Sequence, residues 1–450
     1  MLTLLAGLTL SAAAPANDRP RVVVLTDVSS LTAGMAEPDD GQSLIRLSLY
    51  LNELDVEGLV ATSNLGHGRR VRPDLIARVI DAYDQVRPNL VRHDPRYPPA
   101  DRLRSLIHAG GPEAGPKMPV GDCVGPGKDT DGSRAITAAA DRRDPRPLWV
   151  LVWGGSADLA QALDSARRTR SPDDFRRFVS RFQVHSIGDQ DSTGPWIKRE
   201  FPDLDVITQE RAYRGMYRGG DRSLVSSEWV RTHARGHGAL GDLYPDYDGG
   251  DIFGRTLGPV RGVKEGDTPS FLSLVPNGLN DPERPWLGGW GGRFRVVDHR
   301  GVDVPDPGMG RPEDPDPRLA TVYRWRSAFQ ADFQARLDWC VRPPAEANHP
   351  PVPRIAGNVD REARSGETIT MDASGSTDPD GDELVFSWDV YPRDAPISLK
   401  IEGNDQPLAR ATMPAVDRPT VIPILLSVTD RGDPSLTRYA RLALRVVPGP

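Results

Sequence analysis

Between Arg21 and about Leu163 the chain repeats one pattern, in which a short β-branched apolar run is followed by a stretch of helical periodicity. Val22-Val23-Val24-Leu25 leads to an amphipathic segment from Ser43 to Leu54. Val56 to Thr62 leads to a second one from Pro73 to Val86. A helical stretch around Ser133 to Ala140 then precedes Leu148 to Trp153, and Phe182 to Ile187 adds a further run. Short buried strands separated by helices fold as βαβ units, so this part is an α/β domain built on a mostly parallel sheet. Ligands of such sheets bind beyond the carboxyl ends of the strands. Asp27, Thr62-Ser63-Asn64, Trp153-Gly154-Gly155-Ser156 and Gly188-Asp189-Gln190-Asp191 all fall on that rim.

The 450 residues suffice for two or three domains. A Pro-rich linker, 343–353, follows a helical stretch from Leu319 to Cys340. Beyond it, Thr368 to Met371, Leu384 to Trp388 and Leu442 to Val446 read as short strands divided by turns, the pattern of an Ig-like β-sandwich over 354–450. The acidic turn 372–382 suggests Ca²⁺ in that sandwich, and Trp388 reads as core. Residues 1–16 read as an export signal, an apolar run before Ser11-Ala-Ala-Ala-Pro-Ala without the usual basic start, so the mature chain is expected in the periplasm or outside the cell. No later run approaches the roughly 20 apolar residues of a membrane span. A net charge of −7 and a pI near 5.7 argue against nucleic acid as a partner. Cys123 and Cys340 allow at most one disulfide, which spacing cannot decide.

Asp27, Asp39 and Asp40 bracket one loop after the first strand, and carboxylates gathered so closely require a positive partner, for which a metal ion is the usual solution. The plainer alternative makes Asp39 a helix cap. In "IGDQDSTGPWIKREF", Asp189, Asp191 and Trp196 read as a pocket wall, the alternative being that Trp196 packs on the core. "NGLNDPERPWLGGWGGRF" offers Trp286 and Trp290 as faces for stacking on sugars, with Asn277, Asn280 and Arg293 for hydroxyls, or else forms a packed irregular loop. Zinc-type histidine or cysteine spacing, Walker and Gly-x-Ser-x-Gly motifs are all missing.

The stretch "TDVSSLTAGMAEPDD", with "PLWVLVWGGSADLAQA" and "EGDTPSFLSL", resembles the nucleoside hydrolase superfamily. Longer motifs, among them "EPDDGQSLIRLSLYLNELDVEGLVATS" and "SIGDQDSTGPWIKREFPDL", resemble a bacterial group of exported, cellulose-binding-protein-like chains that join a nucleoside-hydrolase-like domain to a C-terminal β-domain. The resemblance implies a nucleoside-hydrolase-like domain over 20–342. It implies a Ca²⁺ ion held by Asp27, Asp40, Asp267 and the carbonyl of Trp153. It further implies Asp27 as the base that takes a proton from the attacking water, Asp39 as a holder of sugar hydroxyls, and Asn64 as a sugar contact by position. The implied activity is hydrolysis of an N- or O-glycosidic bond in a saccharide or nucleoside-like molecule. The competing reading is a non-catalytic binder of cellulose or another plant polysaccharide. Nucleoside hydrolases commonly oligomerise, which leaves a homo-oligomer open. Three positions depart from the superfamily's pattern. Leu25 stands for its first aspartate, twelve residues separate Asp27 from Asp40 where four are typical, and Gly266 stands where many nucleosidases place a histidine that protonates the leaving base. Asp189, Asp191 and Glu200 are the substitutes at hand for that acid.

Overall fold

A computed structural model describes residues 19–32, 39–63, 70–112, 117–250, 258–306, 316–393 and 399–449. The expected export signal and Asn64 lie outside them. Among the described residues ten strands precede the Pro-rich linker: β1 Arg21–Thr26, β2 Asp55–Ala61, β3 Ile107–Ala109, β4 Leu148–Val152, β5 Phe182–Ser186, β6 Asp205–Thr208, β7 Tyr247–Gly249, β8 Val260–Gly262, β9 Phe294–Val297 and β10 Arg300–Asp303. All but β7 and β8 form one sheet in the order β3-β2-β1-β4-β5-β6-β10-β9. Every neighbouring pair in it is parallel except β10 and β9.

The apolar runs of β1, β2 and β4 are buried along their whole length because helices cover both faces of the sheet. Alternate residues divide between the two layers. Val22 and Val24 pack with the helices Asp39–Ser48, Pro73–His93 and Arg326–Asp338, whereas Val23 and Leu25 pack with Asp131–Asp141, Ala157–Thr169 and Pro172–Val179. The strand order reverses between β1 and β4, and at such a switch point the connections leave a crevice beyond the strand ends. Asp27 and Trp153 sit there.

Two expected elements are drawn differently. The first helix begins at Asp39 rather than Ser43, and the stretch from Leu319 to Cys340 breaks at Arg324-Trp325 into Ala320–Tyr323 and Arg326–Asp338. No helix among the described residues is long and apolar enough to cross a membrane. Cys123 and Cys340 are thiols, each donating to the backbone, of Val120 at 3.4 Å and of Arg336 at 3.5 Å.

After the linker come β11 Asp360–Arg364, β12 Thr368–Asp372, β13 Leu384–Val390, β14 Ile401–Glu402, β15 Leu408–Thr412, β16 Thr420–Asp430 and β17 Thr437–Val447. They form two facing sheets, β11-β17-β16-β13 and β12-β15-β14, around Met371, Trp388, Leu426 and Leu444. This sandwich is fastened to the α/β domain. Arg438 pairs with Asp332 at 2.5 Å, the Tyr439 amide donates to the Asn277 carbonyl at 2.9 Å, and Arg441 donates to the carbonyls of Leu279, Leu287 and Gly288. Trp325 stands edge-on to Tyr391 and Tyr439.

Candidate functional site

Asp27 is the first residue beyond β1, Asp39 and Asp40 open the helix Asp39–Ser48, and Asp267 precedes the short helix Thr268–Leu272. One carboxylate oxygen from each of Asp39, Asp40 and Asp267 lies within 4.8 Å of the others, and all three residues are buried. The Thr26 hydroxyl donates to Asp40, and Asp27 shares a hydrogen bond with the same carboxyl. Burial first, and the charge of Asp39 second, push Asp40 up to about 7, against the opposing pull of these bonds and of Lys264. Lys264 is the close cation, its ammonium 3.0 Å from Asp39.

The three buried carboxylates gather oxygen donors of the kind that suit a hard divalent cation. The Trp153 carbonyl, on the same cavity, accepts from the Gln190 side chain and keeps a second lone pair. Gly154 is required by this packing, because a Cβ there would stand 2.5 Å from the Asp27 Cβ. The cavity the acids face has a volume of about 330 Å³, and Tyr213, Tyr217, Arg211 and Arg214 supply much of its other wall. No histidine is among the described residues that line it.

Long-range clamps set this geometry. The Gln42 side chain, on the same helix as Asp40, donates to the carbonyls of Pro245 and Gly262 and accepts from the Lys264 amide at 2.6 Å. One helical turn on, Arg46 pairs with Glu265 at 2.6 Å with both side chains fully buried, and the Tyr244 hydroxyl donates to the same carboxylate. Lys264 and Asp267 are thereby locked against Asp39 and Asp40. The opposite wall hangs on Asp303, whose carboxylate accepts the amides of Glu210, Arg211 and Ala212 at 3.2, 3.0 and 2.8 Å.

Of the residues singled out in the sequence, Asp27, Asp39, Asp40, Trp153, Asp189 and Asp267 come together on the cavity. Asp189 also pairs with Lys198 at 2.5 Å. Asp191 lies behind the wall, buried, where it accepts from Ser63, from the amide and hydroxyl of Ser156 and from those of Thr193, joining the loops after β2, β4 and β5. Desolvation raises its pKa, and those bonds hold the rise down. Trp196 packs edge-on to Phe201 beneath Arg167, away from the cavity. Glu200 pairs with Arg167 at 3.3 Å on that outer face. Asn277 and Trp290 are buried toward the sandwich, and Trp290, 0 % exposed, presents its ring to Phe329 and Arg438 rather than to solvent. Lys264, Tyr213, Tyr217, Arg211 and Arg214 were not foreseen. The alternation of Arg and Tyr in "ERAYRGMYRGG" is the signal that could have found four of them.

Residues 21–294 match the family model described as "Cellulose-binding Sde182, nucleoside hydrolase-like domain", and residues 368–446 match "Cellulose-binding protein Sde0182, C-terminal domain". A solved nucleoside hydrolase-related hypothetical protein from Saccharophagus degradans, described as associated with carbohydrate metabolism, is 32 % identical over 95 % of this chain and 100 % of its own, with a TM-score of 0.78. A PKD domain from KIAA 1837 protein aligns over 21 % of this chain and 89 % of its own at 18 % identity and a TM-score of 0.17. The human mucin-like protocadherin EC1-2 aligns over 22 % of this chain and 54 % of its own at 20 % identity and 0.18. No curated protein matches the chain.

Proposed function

The chain belongs to the cellulose-binding Sde182 family, with its nucleoside hydrolase-like domain and its C-terminal domain, and from that premise we propose that it is an exported, Ca²⁺-dependent hydrolase of a glycosidic bond. The observation that carries this reading is the buried Asp39-Asp40-Asp267 cluster, with Asp27 hydrogen-bonded to it, at the switch point of the sheet and facing a cavity. A Ca²⁺ ion held by these acids supplies the Lewis-acid charge that eases water activation and supports an oxocarbenium-like transition state. Asp27, pressed against Gly154 and only part-buried, takes the proton of the attacking water. Asp39, held by Lys264, accepts from sugar hydroxyls, and Tyr213 and Tyr217 offer aromatic faces to the ring. A cavity of about 330 Å³ is at the small end for ligand sites, which favours a small glycoside or the end of a chain over the middle of a polymer. Gly266 stands where many nucleosidases of the superfamily place the histidine that protonates the leaving base, which disfavours ordinary purine nucleosides.

A second reading is favoured by the family's own description, which names cellulose binding: the site then holds the end of a polysaccharide without cleaving it. Product release from a panel of nucleosides and aryl or oligosaccharide glycosides, run beside a cellulose pull-down, separates the two. Turnover by wild type that falls at least 10²-fold in Asp27→Asn, with pull-down retained, supports the hydrolase. Pull-down without turnover on any glycoside sinks it and leaves the binder.

A further inference from the structure

We propose that a second cleft, at the end of the sheet opposite the acid cavity, seats a neutral sugar chain stacked on Trp286. The proposal rests on the polysaccharide-binding reading above and moves it away from the carboxylates. The cleft has a volume of about 590 Å³, against about 330 Å³ for the acid cavity. Arg19 and Arg146, which precede β1 and β4, mark one end of it, whereas Asp27 and Trp153 follow the same strands. Strands of six and five residues set the two sites roughly 15–20 Å apart.

The floor is the sheet itself. Trp149, Gln183 and Asp205 are register partners in β4, β5 and β6, as are Ile207, Gly301 and Val296 in β6, β10 and β9, so they share one face. The loop from Asn280 to Trp286 forms a wall. Trp286 is 46 % exposed, and among the described residues it is the only Trp, Tyr or Phe that stands exposed. Its backbone is nevertheless fixed. Arg293 donates to the Trp286 carbonyl at 2.8 Å, and Arg441 donates to those of Leu287 and Gly288 at 3.0 and 2.8 Å. The Asn280 side chain donates to the carbonyls of Leu272 and Val275 at 2.6 and 2.7 Å. An outward indole on a clamped backbone is a preorganised face for the apolar C–H side of a pyranose ring.

The polar lining suits the hydroxyls of the same ring. Gln183 donates to one oxygen of Asp205 at 2.8 Å and the His299 Nδ1 lies 2.8 Å from the other, so an amide, a carboxylate and an imidazole stand in one row. Charge is largely compensated within the protein. Arg146 pairs with Asp144 and Asp55 at 2.5 and 3.1 Å, and Asp281 pairs with Arg284 at 2.7 Å. Two guanidinium groups and three carboxylates line the cleft, so neither sign prevails and a neutral, hydroxyl-rich ligand fits better than an anion.

The test is calorimetric titration of the full chain with cellohexaose, beside a cellulose pull-down. Wild type should bind, and Trp286→Ala, at an exposed position that folding tolerates, should weaken binding at least tenfold while Tm stays that of wild type. Asp27→Asn should bind as wild type does. No binding by wild type to either probe would sink polysaccharide binding altogether, and this cleft with it. Binding that survives Trp286→Ala, or falls as far in Asp27→Asn, would leave polysaccharide binding standing and overturn its seat. A dimer in light scattering that Trp286→Ala dissolves, with no sugar bound, would give the cleft to a second copy of the chain instead.

Discussion

At the scale of single residues the site depends on close contacts that few substitutions can keep. Gly154→Ala places a methyl where the Asp27 side chain now lies, so we expect a loss of about 1–3 kcal/mol and of any turnover, read by melting and by glycoside release. Asp40 makes a prediction about pH. Its folded pKa, raised to about 7 from 3.8, means that the fold prefers the neutral form. In EDTA its contribution is intact below pH 3.8 and is lost as pH rises through about 7. Asp40→Asn should therefore match wild type near pH 4 and exceed it in Tm at pH 8. With Ca²⁺ present the order at pH 8 should invert. If Asp40→Asn is the less stable protein at pH 8 in EDTA, the carboxyl is already satisfied within the protein.

At the scale of elements, the strands were readable from sequence because a buried parallel strand must be a continuous apolar run, and the acid just past such a run must fall on the rim. Asp27 and Trp153 were legible for that reason. Lys264 and Tyr213 were not, because their segments are shaped by partners far along the chain, Gln42 and Arg46 for one and Asp303 for the other. Local periodicity is blind to such clamps. It misled in the other direction at Trp290, where glycines beside an aromatic ring suggested exposure and the sandwich covers the ring instead. The clamps are testable: Arg46→Ala leaves Glu265 buried without its cation and should cost about 3–5 kcal/mol by urea unfolding. A cost below about 1 kcal/mol would mean that Tyr244 alone holds the segment 262–267.

At the scale of the whole molecule, one buried cluster runs from the sheet through Trp325 and Phe329 to Tyr391 and Tyr439 of the sandwich. Calorimetry should therefore show one melting transition, and Tyr439→Ala should split or broaden it. The junction is also sensitive to acid. His93 stacks on Trp339, bonds His349 at 3.0 Å, and is lowered by burial from 6.5 to about 4. A lowered histidine adds stability that is complete above pH 6.5 and fades as pH falls toward 4. His93→Gln should thus show a shallower decline of Tm between pH 6.5 and 4 than wild type. Parallel declines would remove His93 from the account.

The loop from Asn277 to Arg293 gives its backbone carbonyls to Arg441 and its Trp290 ring to Arg438. The β-domain is for that reason a poor candidate for grafting: fused to a foreign protein it would lose its seat, and an α/β domain stripped of it would be left with an uncovered tryptophan and stranded carbonyls. Any exchange of parts within this family has to move the seat together with the domain.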